Sequence, residues 1–213
     1  MLLRDVMSTN VVSISSNTTL AVARRILEAH GFRRLPVIDK GKLVGVVTKD
    51  ALDKSGPSQL TTFSIHELSY LLSTITVEKV MRRDVVTATP EMTVEEAVAL
   101  AQSKKVGMLI VVENGKIVGI ATTNDFFYKV LNPILGITMA GCRIEIQDCY
   151  EGPDVEKVLS VVNKLGVKIN TLFTINFPDV HKHDLLIHLA TDDCKWVIEA
   201  VEKLGYKVIE RAR

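Results

Sequence analysis

Cysteine is scarce in this chain of 213 residues: Cys142, Cys149 and Cys194 stand seven and forty-five residues apart, and no C-x-x-C pair occurs. That spacing leaves nothing set for zinc or redox work and predicts reduced core or surface thiols. An excess of charge of one sign is missing too. Twenty-six Lys and Arg face twenty-five Asp and Glu, a formal net charge of +1, so no overall field holds a nucleic-acid backbone or an anionic membrane. Neither is expected as a partner, and a basic contact has to come from a local cluster. No uncharged apolar run approaches the roughly eighteen residues that span a bilayer, and Met1-Leu2-Leu3-Arg4-Asp5 becomes charged after three residues. A cytoplasmic protein is expected. There is no Gly-x-Ser-x-Gly elbow, Walker loop or Gly-x-Gly-x-x-Gly fingerprint. What is present is 47% apolar and 24% charged residues, the balance of a soluble globular protein with material for two ordinary domains.

The chain repeats itself. A shift of 74 residues lays Val6-Met7 on Val80-Met81, Val11-Val12 on Val85-Val86, Gly41-Lys42 on Gly115-Lys116 and Val44-Gly45 on Val118-Gly119 without a gap. Each copy opens on a β-branched run, Asn10 to Ile14 or Asp84 to Ala88. A helix follows that Thr19 or Thr93 is placed to cap, and Thr93-Val94-Glu95-Glu96 has capping-box spacing. Two strands come next, Leu35 to Asp39 and Leu43 to Thr48 across a Lys-Gly turn, then Leu109 to Glu113 and Lys116 to Thr122 across Asn114-Gly115. The unit reads strand, helix, strand, strand, helix. Between the copies Ser55-Gly56-Pro57-Ser58 breaks the chain, and Ser64-Ile65-His66-Glu67 opens a linking helix through Leu72. His66 there reads as an exposed first-turn residue.

A smaller symmetry follows Gly141. Asn163-Lys164-Leu165-Gly166-Val167-Lys168-Ile169 returns thirty-nine residues later as Glu202-Lys203-Leu204-Gly205-Tyr206-Lys207-Val208. In both, Gly ends an amphipathic helix where a left-handed residue is wanted. The tail therefore parses as strand Arg143 to Gln147, helix Pro153 to Leu165, strands Val167 to Phe177 and Asp184 to Ala190, helix Asp192 to Leu204 and strand Tyr206 to Ile209. That order is βαββαβ, a ferredoxin-like unit.

With these residues on the page, each 74-residue copy resembles a CBS motif, whose strand-turn-strand ends in Gly-x-x-Ser/Thr, and the two together resemble a CBS pair, or Bateman module. The tail resembles an ACT domain. The order CBS, CBS, ACT, with Ser-Gly-Pro-Ser and His-Glu-Leu-Ser-Tyr-Leu-Leu between the first two, is similar to the acetoin-utilisation regulatory protein family. The resemblance implies an α+β protein, with tandem CBS motifs (β-α-β-β-α each) and then a ferredoxin-like ACT domain. Its divisions are 1–60 for the first motif, 61–76 for the linking helix, 77–134 for the second motif and 139–213 for the ACT domain.

CBS pairs bind adenosine-containing ligands in two clefts, each borrowing from both copies. The resemblance implies that Gly-x-x-Thr-x-x-Asp of one copy holds ribose and a phosphate, and that residues before the Leu-Pro-Val strand of the other hold phosphates. An ionised Asp can accept from both ribose hydroxyls, and a Thr hydroxyl can serve a phosphate oxygen. Copy two matches through Thr122, Asn124 and Asp125. Copy one departs, with Ala51 at the acid position and Asp50 one residue early, about 100° away on a helix. Before the strand the asymmetry is complementary: Arg33-Arg34 precede Leu35-Pro36-Val37, and Gly107-Met108 precede Leu109-Ile110-Val111. One cleft is therefore expected to join Thr122, Asn124 and Asp125 to Arg33, Arg34 and Pro36, with base contacts near Val12 and Ser13. The other joins Thr48 and Ala51 to Gly107 and Met108 and is expected to be degraded. Two guanidinium groups rank AMP, ADP or ATP above a cationic S-adenosylmethionine. The same residues have plainer readings, Arg33-Arg34 as an exposed dibasic pair and Asp125 as a helix cap.

ACT domains often bind an amino acid between two copies. Here that points to Gly152, in the loop after the first strand, and to Asn170, which stands two residues later than the family pattern of Gly-Ile-Asn-Ile; dimerisation alone is the competing reading. His181-Lys182-His183 reads as a solvated hairpin tip and not a metal site. The expectation is a non-catalytic regulatory homodimer that binds a small molecule, uses no cofactor or metal, and acts on a protein target the sequence does not name. Its rivals are a structural module with empty clefts and a small enzyme acting on the bound nucleotide.

Overall fold

The computed structural model of the chain describes residues 1–55, 74–177 and 182–211. They fall into two compact units, Met1–Phe126 and Phe127–Arg213. The expected linking helix with His66 lies outside the described residues, as does the Pro178 turn with His181.

In the first unit α1 (Leu3–Val6), α2 (Leu20–His30), β1 (Arg34–Asp39), β2 (Lys42–Thr48) and α3 (Lys49–Lys54) make copy one. Copy two opens on a 3-10 turn, Val77–Lys79, and continues as β3 (Thr87–Ala88), α4 (Val94–Ser103), β4 (Met108–Glu113), β5 (Lys116–Thr122) and α5 (Thr123–Asp125). The helices start where the sequence places caps. Thr19 Oγ1 accepts from Val22 N, and Thr93 with Glu96 forms the capping box, whose bond from Thr93 N holds the Glu96 carboxyl below its ordinary range. Leu20, Ala23 and Leu27 are spaced to share one face of α2, and all three are buried with Leu35, Val37, Val47 and Leu52. Both hairpins turn on two residues of positive φ, Lys40-Gly41 and Asn114-Gly115, the form that matches strand twist.

The first expected strand of each copy shrinks. Ile14 makes a single parallel bridge to Val37, and only Thr87 and Ala88 pair with β4. Upstream residues are engaged by the other copy instead: Ser8 exchanges backbone bonds of 2.8 and 2.9 Å with Ile120, and Arg82 exchanges two of 2.9 Å with Val46. The same shift of 74 relates Leu3 N to Met92 O (2.8 Å) and Val77 N to Thr18 O (2.8 Å). A pseudo-twofold thus sets the opening segment of each copy against the end of the other copy's hairpin. Glycine is required at that crossing, because a methyl group on Gly45 would lie 2.9 Å from Arg82 O and one on Gly119 3.1 Å from Ser8 O.

The chain passes through a π-helical stretch, Phe126–Leu131, into the second unit. There α6 (Asn132–Leu135), β6 (Cys142–Ile146), α7 (Gly152–Lys164), β7 (Ile169–Phe177), β8 (Lys182–Leu189), α8 (Lys195–Glu202) and β9 (Val208–Arg211) follow. The sheet runs β7-β8-β6-β9 with every pair antiparallel, the split βαββαβ arrangement. Alternate residues of β6 (Cys142, Ile144, Ile146) and β8 (Leu185, Ile187, Leu189) join Val158 and Val162 of α7 and Val197 and Val201 of α8 in one core. Gly166 and Gly205 follow their helices at φ 71° and 94°.

Two expectations are corrected here. Cys142 and Cys194 are not separate thiols but a disulfide, with Cα atoms 6.2 Å apart, joining the start of β6 to the residue before α8; a separation of fifty-two in sequence conceals what the sheet sets side by side. Cys149 stays a free thiol, pushed up to about 11 by burial and by Asp154. His183 is not at a hairpin tip: it belongs to β8, opposite Asn176, and its ring packs on Tyr150 at 4.4 Å.

Tyr206 donates to Asp154 Oδ1 at 2.7 Å. The bond holds the Asp154 carboxyl below its ordinary range and pushes the Tyr206 phenol up to about 12. Asp154's contribution is present above its unfolded value of 3.8 and is lost as pH falls through the lowered folded value. Tyr206's is full below its unfolded value of 10.0 and is lost as pH rises toward 12. In urea titrations Tyr206→Phe should therefore lower the midpoint by a constant amount around neutrality, with the gap from wild type closing at both extremes. A gap that persists at pH 12 would assign the effect to packing.

Candidate functional site

The end of β5 and the start of α5 build one wall of a cleft of about 780 Å³ in the first unit. Thr122 Oγ1 accepts from Asp125 N at 3.3 Å, and Asp125 Oδ2 accepts from Thr122 N (2.9 Å) and Thr122 Oγ1 (2.6 Å), so the short helix opens with a capping box. From the other copy Ser8 Oγ donates to Asp125 Oδ1 at 2.8 Å. Asp125 is thereby 6% exposed, a carboxylate held rigidly at the cleft wall by both copies. The cap reading of Asp125 and its place in the cleft hold together.

Arg33 and Arg34, at the entry to β1, line the same cleft, with Val12 and Asn124. Among the described residues neither arginine is in an ion pair. The chain thus brings together Val12, Arg33, Arg34, Thr122, Asn124 and Asp125. It does not bring in Ser13, which is exposed, or Pro36, which is buried in β1 with its carbonyl accepting from Ile14 N at 3.1 Å. Inside the strand Pro36 serves the opening segment through its carbonyl oxygen. Residues unforeseen in the sequence also line the cleft: Ser8, Asn10, Phe32 and Thr123. The 74-residue shift could have found Ser8, which stands directly after the Val-Met pair that anchors the repeat.

A second cleft of about 660 Å³ lies at the pseudo-twofold mate, lined by Thr48, Ala51 and Met108 as expected. Gly107 lines the first cleft instead, and the Arg34 guanidinium lies against it: a methyl group there would be 2.9 Å from Nη1 and 3.1 Å from Cζ. Arg33 and Arg34 are not confined to one cleft; they line both. Nor is the second cleft simply stripped. Where the first has Ser8, Asn10, Gly31, Thr123 and Asn124, the second has Arg82, Asp84, Lys105, Lys49 and Asp50, a charge for every neutral residue. Asp50, expected to be rotated away, lines it.

In the second unit Gly152 and Asn170 do not meet. Asn170 follows Ile169, which pairs with Leu189, itself opposite Cys142, whereas Gly152 comes after the other end of β6, where Ile146 pairs with Leu185. The two stand at opposite ends of the sheet. Asn170 Nδ2 donates to Ala140 O at 3.2 Å. Among the described residues no group of three or more His, Cys, Asp or Glu is set to hold a metal ion, and no helix is long and apolar enough to cross a membrane.

The family model for the CBS domain matches residues 3–55 and 77–132, just over half of the chain. Inosine-5'-monophosphate dehydrogenase of Korarchaeum cryptofilum is 32% identical over 126 residues, 58% of this chain and 23% of that protein. The chain spans about a quarter of the dehydrogenase's length. A CBS domain-containing protein of Dictyostelium discoideum is 31% identical over 138 residues, 62% of this chain and 95% of that one. Among solved structures, a Vibrio cholerae protein assigned to acetoin utilization (AcuB) is 27% identical, covers 65% of this chain and 95% of its own, and superposes with a TM-score of 0.54.

Proposed function

The chain belongs to the CBS domain family, and from that premise we propose that it is a non-catalytic regulatory protein that binds an adenine nucleotide, AMP, ADP or ATP, in the first cleft. The observation that supports this most is the convergence of Asp125, Thr122 and Asn124 from one copy with Arg33 and Arg34 from the other on a single cavity. Asp125 is the acceptor for ribose hydroxyls, Thr122 and the two arginines serve phosphates, and Val12 and Phe32 offer apolar and aromatic surface to the base. Unpaired guanidinium groups favour phosphate and oppose a sulfonium cation. Because the cleft draws on both copies, a ligand that fits one arrangement of them better than another shifts their packing, which is the physical content of sensing here.

The tail is read as an ACT domain that dimerises, a reading supported by its βαββαβ topology; with Gly152 and Asn170 at opposite ends of the sheet, an effector site using both needs a second copy. A homodimer acting on a protein target in the cytoplasm completes the proposal. The likeness to the Vibrio cholerae protein supports a place in carbon-source metabolism. Isothermal titration with AMP, ADP and ATP in turn tests the central claim: saturable binding near one nucleotide per chain at the first cleft is expected, read most directly with AMP. No binding by any of the three would leave the pair as a scaffold, and nucleotide turned over during incubation would make the protein an enzyme.

A further inference from the structure

The second cleft is the more highly charged of the two. Arg33, Arg34, Lys49, Lys54, Arg82 and Lys105 line it, and among the described residues none of these six is in an ion pair. Its carboxylates are Asp50, Asp53 and Asp84, and Asp53 already receives Arg24 at 3.0 Å. The lining therefore carries a formal excess of three positive charges, against one in the first cleft, where Arg33 and Arg34 face Asp125. Six cations around one concavity repel one another, and a multivalent anion relieves that repulsion while gaining charge-assisted hydrogen bonds. What a nucleoside would need is reduced here. Ala51 replaces the ribose acceptor, and Val106 stands where the first cleft has the ring of Phe32.

We propose that the second cleft is a polyphosphate site that recognises its ligand by charge, without reading a base or a ribose, and that its occupation weakens nucleotide binding in the first cleft. The first part stands on the second cleft alone; the coupling rests on the nucleotide reading of the first. Coupling follows from the shared arginines. Arg33 and Arg34 reach both cavities, so phosphate oxygens bound on one side draw the guanidinium groups from the other. The antagonism must be reciprocal, each ligand weakening the other by the same factor. The polyphosphate could be free or the tail of a nucleoside triphosphate, and the two sources are separable.

The test titrates inorganic tripolyphosphate, then ATP, into the full chain and into two variants. Arg82→Ser with Lys105→Gly installs the residues that the repeat carries at Ser8 and Gly31, and glycine suits the positive φ of 51° at Lys105. Tripolyphosphate is expected to bind wild type and Asp125→Ala alike, one per chain. It should bind the Arg82→Ser, Lys105→Gly protein at least about tenfold more weakly, the effect of losing charge-assisted bonds, with nucleotide binding in the first cleft within about twofold of wild type. Saturating tripolyphosphate should weaken AMP binding to wild type by about three- to tenfold, a coupling in the ordinary range. Tripolyphosphate binding that is absent from wild type, or unchanged in the Arg82→Ser, Lys105→Gly protein with its thermal midpoint intact, would overturn the site. ATP binding to Asp125→Ala more than about tenfold tighter than tripolyphosphate, by about 1.4 kcal/mol, would overturn base-independent recognition. If AMP fails to bind wild type while tripolyphosphate behaves as stated, the nucleotide reading falls and the polyphosphate site stands.

Discussion

Asp125→Ala is expected to weaken nucleotide binding by about a hundredfold or more while the protein remains folded. Hydrogen bonds to an ionised acceptor are each worth about 1.5–3 kcal/mol, and about 1.4 kcal/mol is tenfold in affinity. Loss of both ribose bonds therefore moves binding by about two orders of magnitude or more. The folded state loses something as well. Asp125 accepts from Ser8 Oγ, Thr122 N and Thr122 Oγ1, and removal of the carboxylate ends the capping box and takes the acceptor from three part-buried donors, at a cost of about 1–3 kcal/mol. Domains of this size are stable by about 5–15 kcal/mol, so the variant should fold with a lowered midpoint. Two readouts divide the roles that one residue combines. A lower midpoint with unchanged nucleotide affinity would make Asp125 a cap and nothing more. Ser8→Ala removes one donor to Asp125 and leaves the carboxylate, so it should lose only a few-fold in affinity, about 1 kcal/mol.

The repeat made most of the first unit readable. A shift of 74 residues predicts both hairpins, both long helices and their threonine caps, because each rests on local chemistry: a hydroxyl before an amphipathic run, or two residues tolerant of positive φ between β-branched strands. The pairing of Asp125 with Arg33 and Arg34 comes from the resemblance to a CBS pair, since the shift itself lays Asp125 on Ala51. What escaped the repeat depends on contacts between the copies. The strand expected over Asn10 to Ile14 is extended by composition, but its neighbours are set by the crossing, where Ser8 bonds Ile120 and only Ile14 reaches β1. Pro36 belongs to the family-like Leu-Pro-Val pattern, yet it is buried outside the cleft lining, where its carbonyl accepts from Ile14 N. Arg34 shows the limit best. Residue order assigns it to one cleft, whereas a side chain of that length, lying over a glycine, borders both. The cysteine pair failed for the same reason, since strand order β8-β6 and the return of α8 decide which thiols meet.

Arg34→Ala should accordingly weaken both ligands at once, by about tenfold or more each, since one charge-assisted contact of about 1.5–3 kcal/mol is lost on either side. Among the charged lining residues Arg33→Ala alone is expected to do the same, because Arg82 and Lys105 line only the second cleft and Asp125 only the first. Charge and position can be told apart through the neighbour beneath it. Gly107 leaves room for the Arg34 guanidinium, and a methyl group there would press on Nη1, Nη2 and Cζ at 2.9–3.1 Å. Those atoms are the free end of a flexible side chain, so Gly107→Ala should displace them at little cost, with a change in unfolding free energy within about 0.5 kcal/mol. The charge remains and only its place changes. If Arg34 acts through fixed geometry, Gly107→Ala weakens nucleotide and tripolyphosphate binding by a good part of the Arg34→Ala effect. If it acts as a diffuse positive field, Gly107→Ala binds both as wild type does, and raising the salt concentration should then weaken wild type and Gly107→Ala equally.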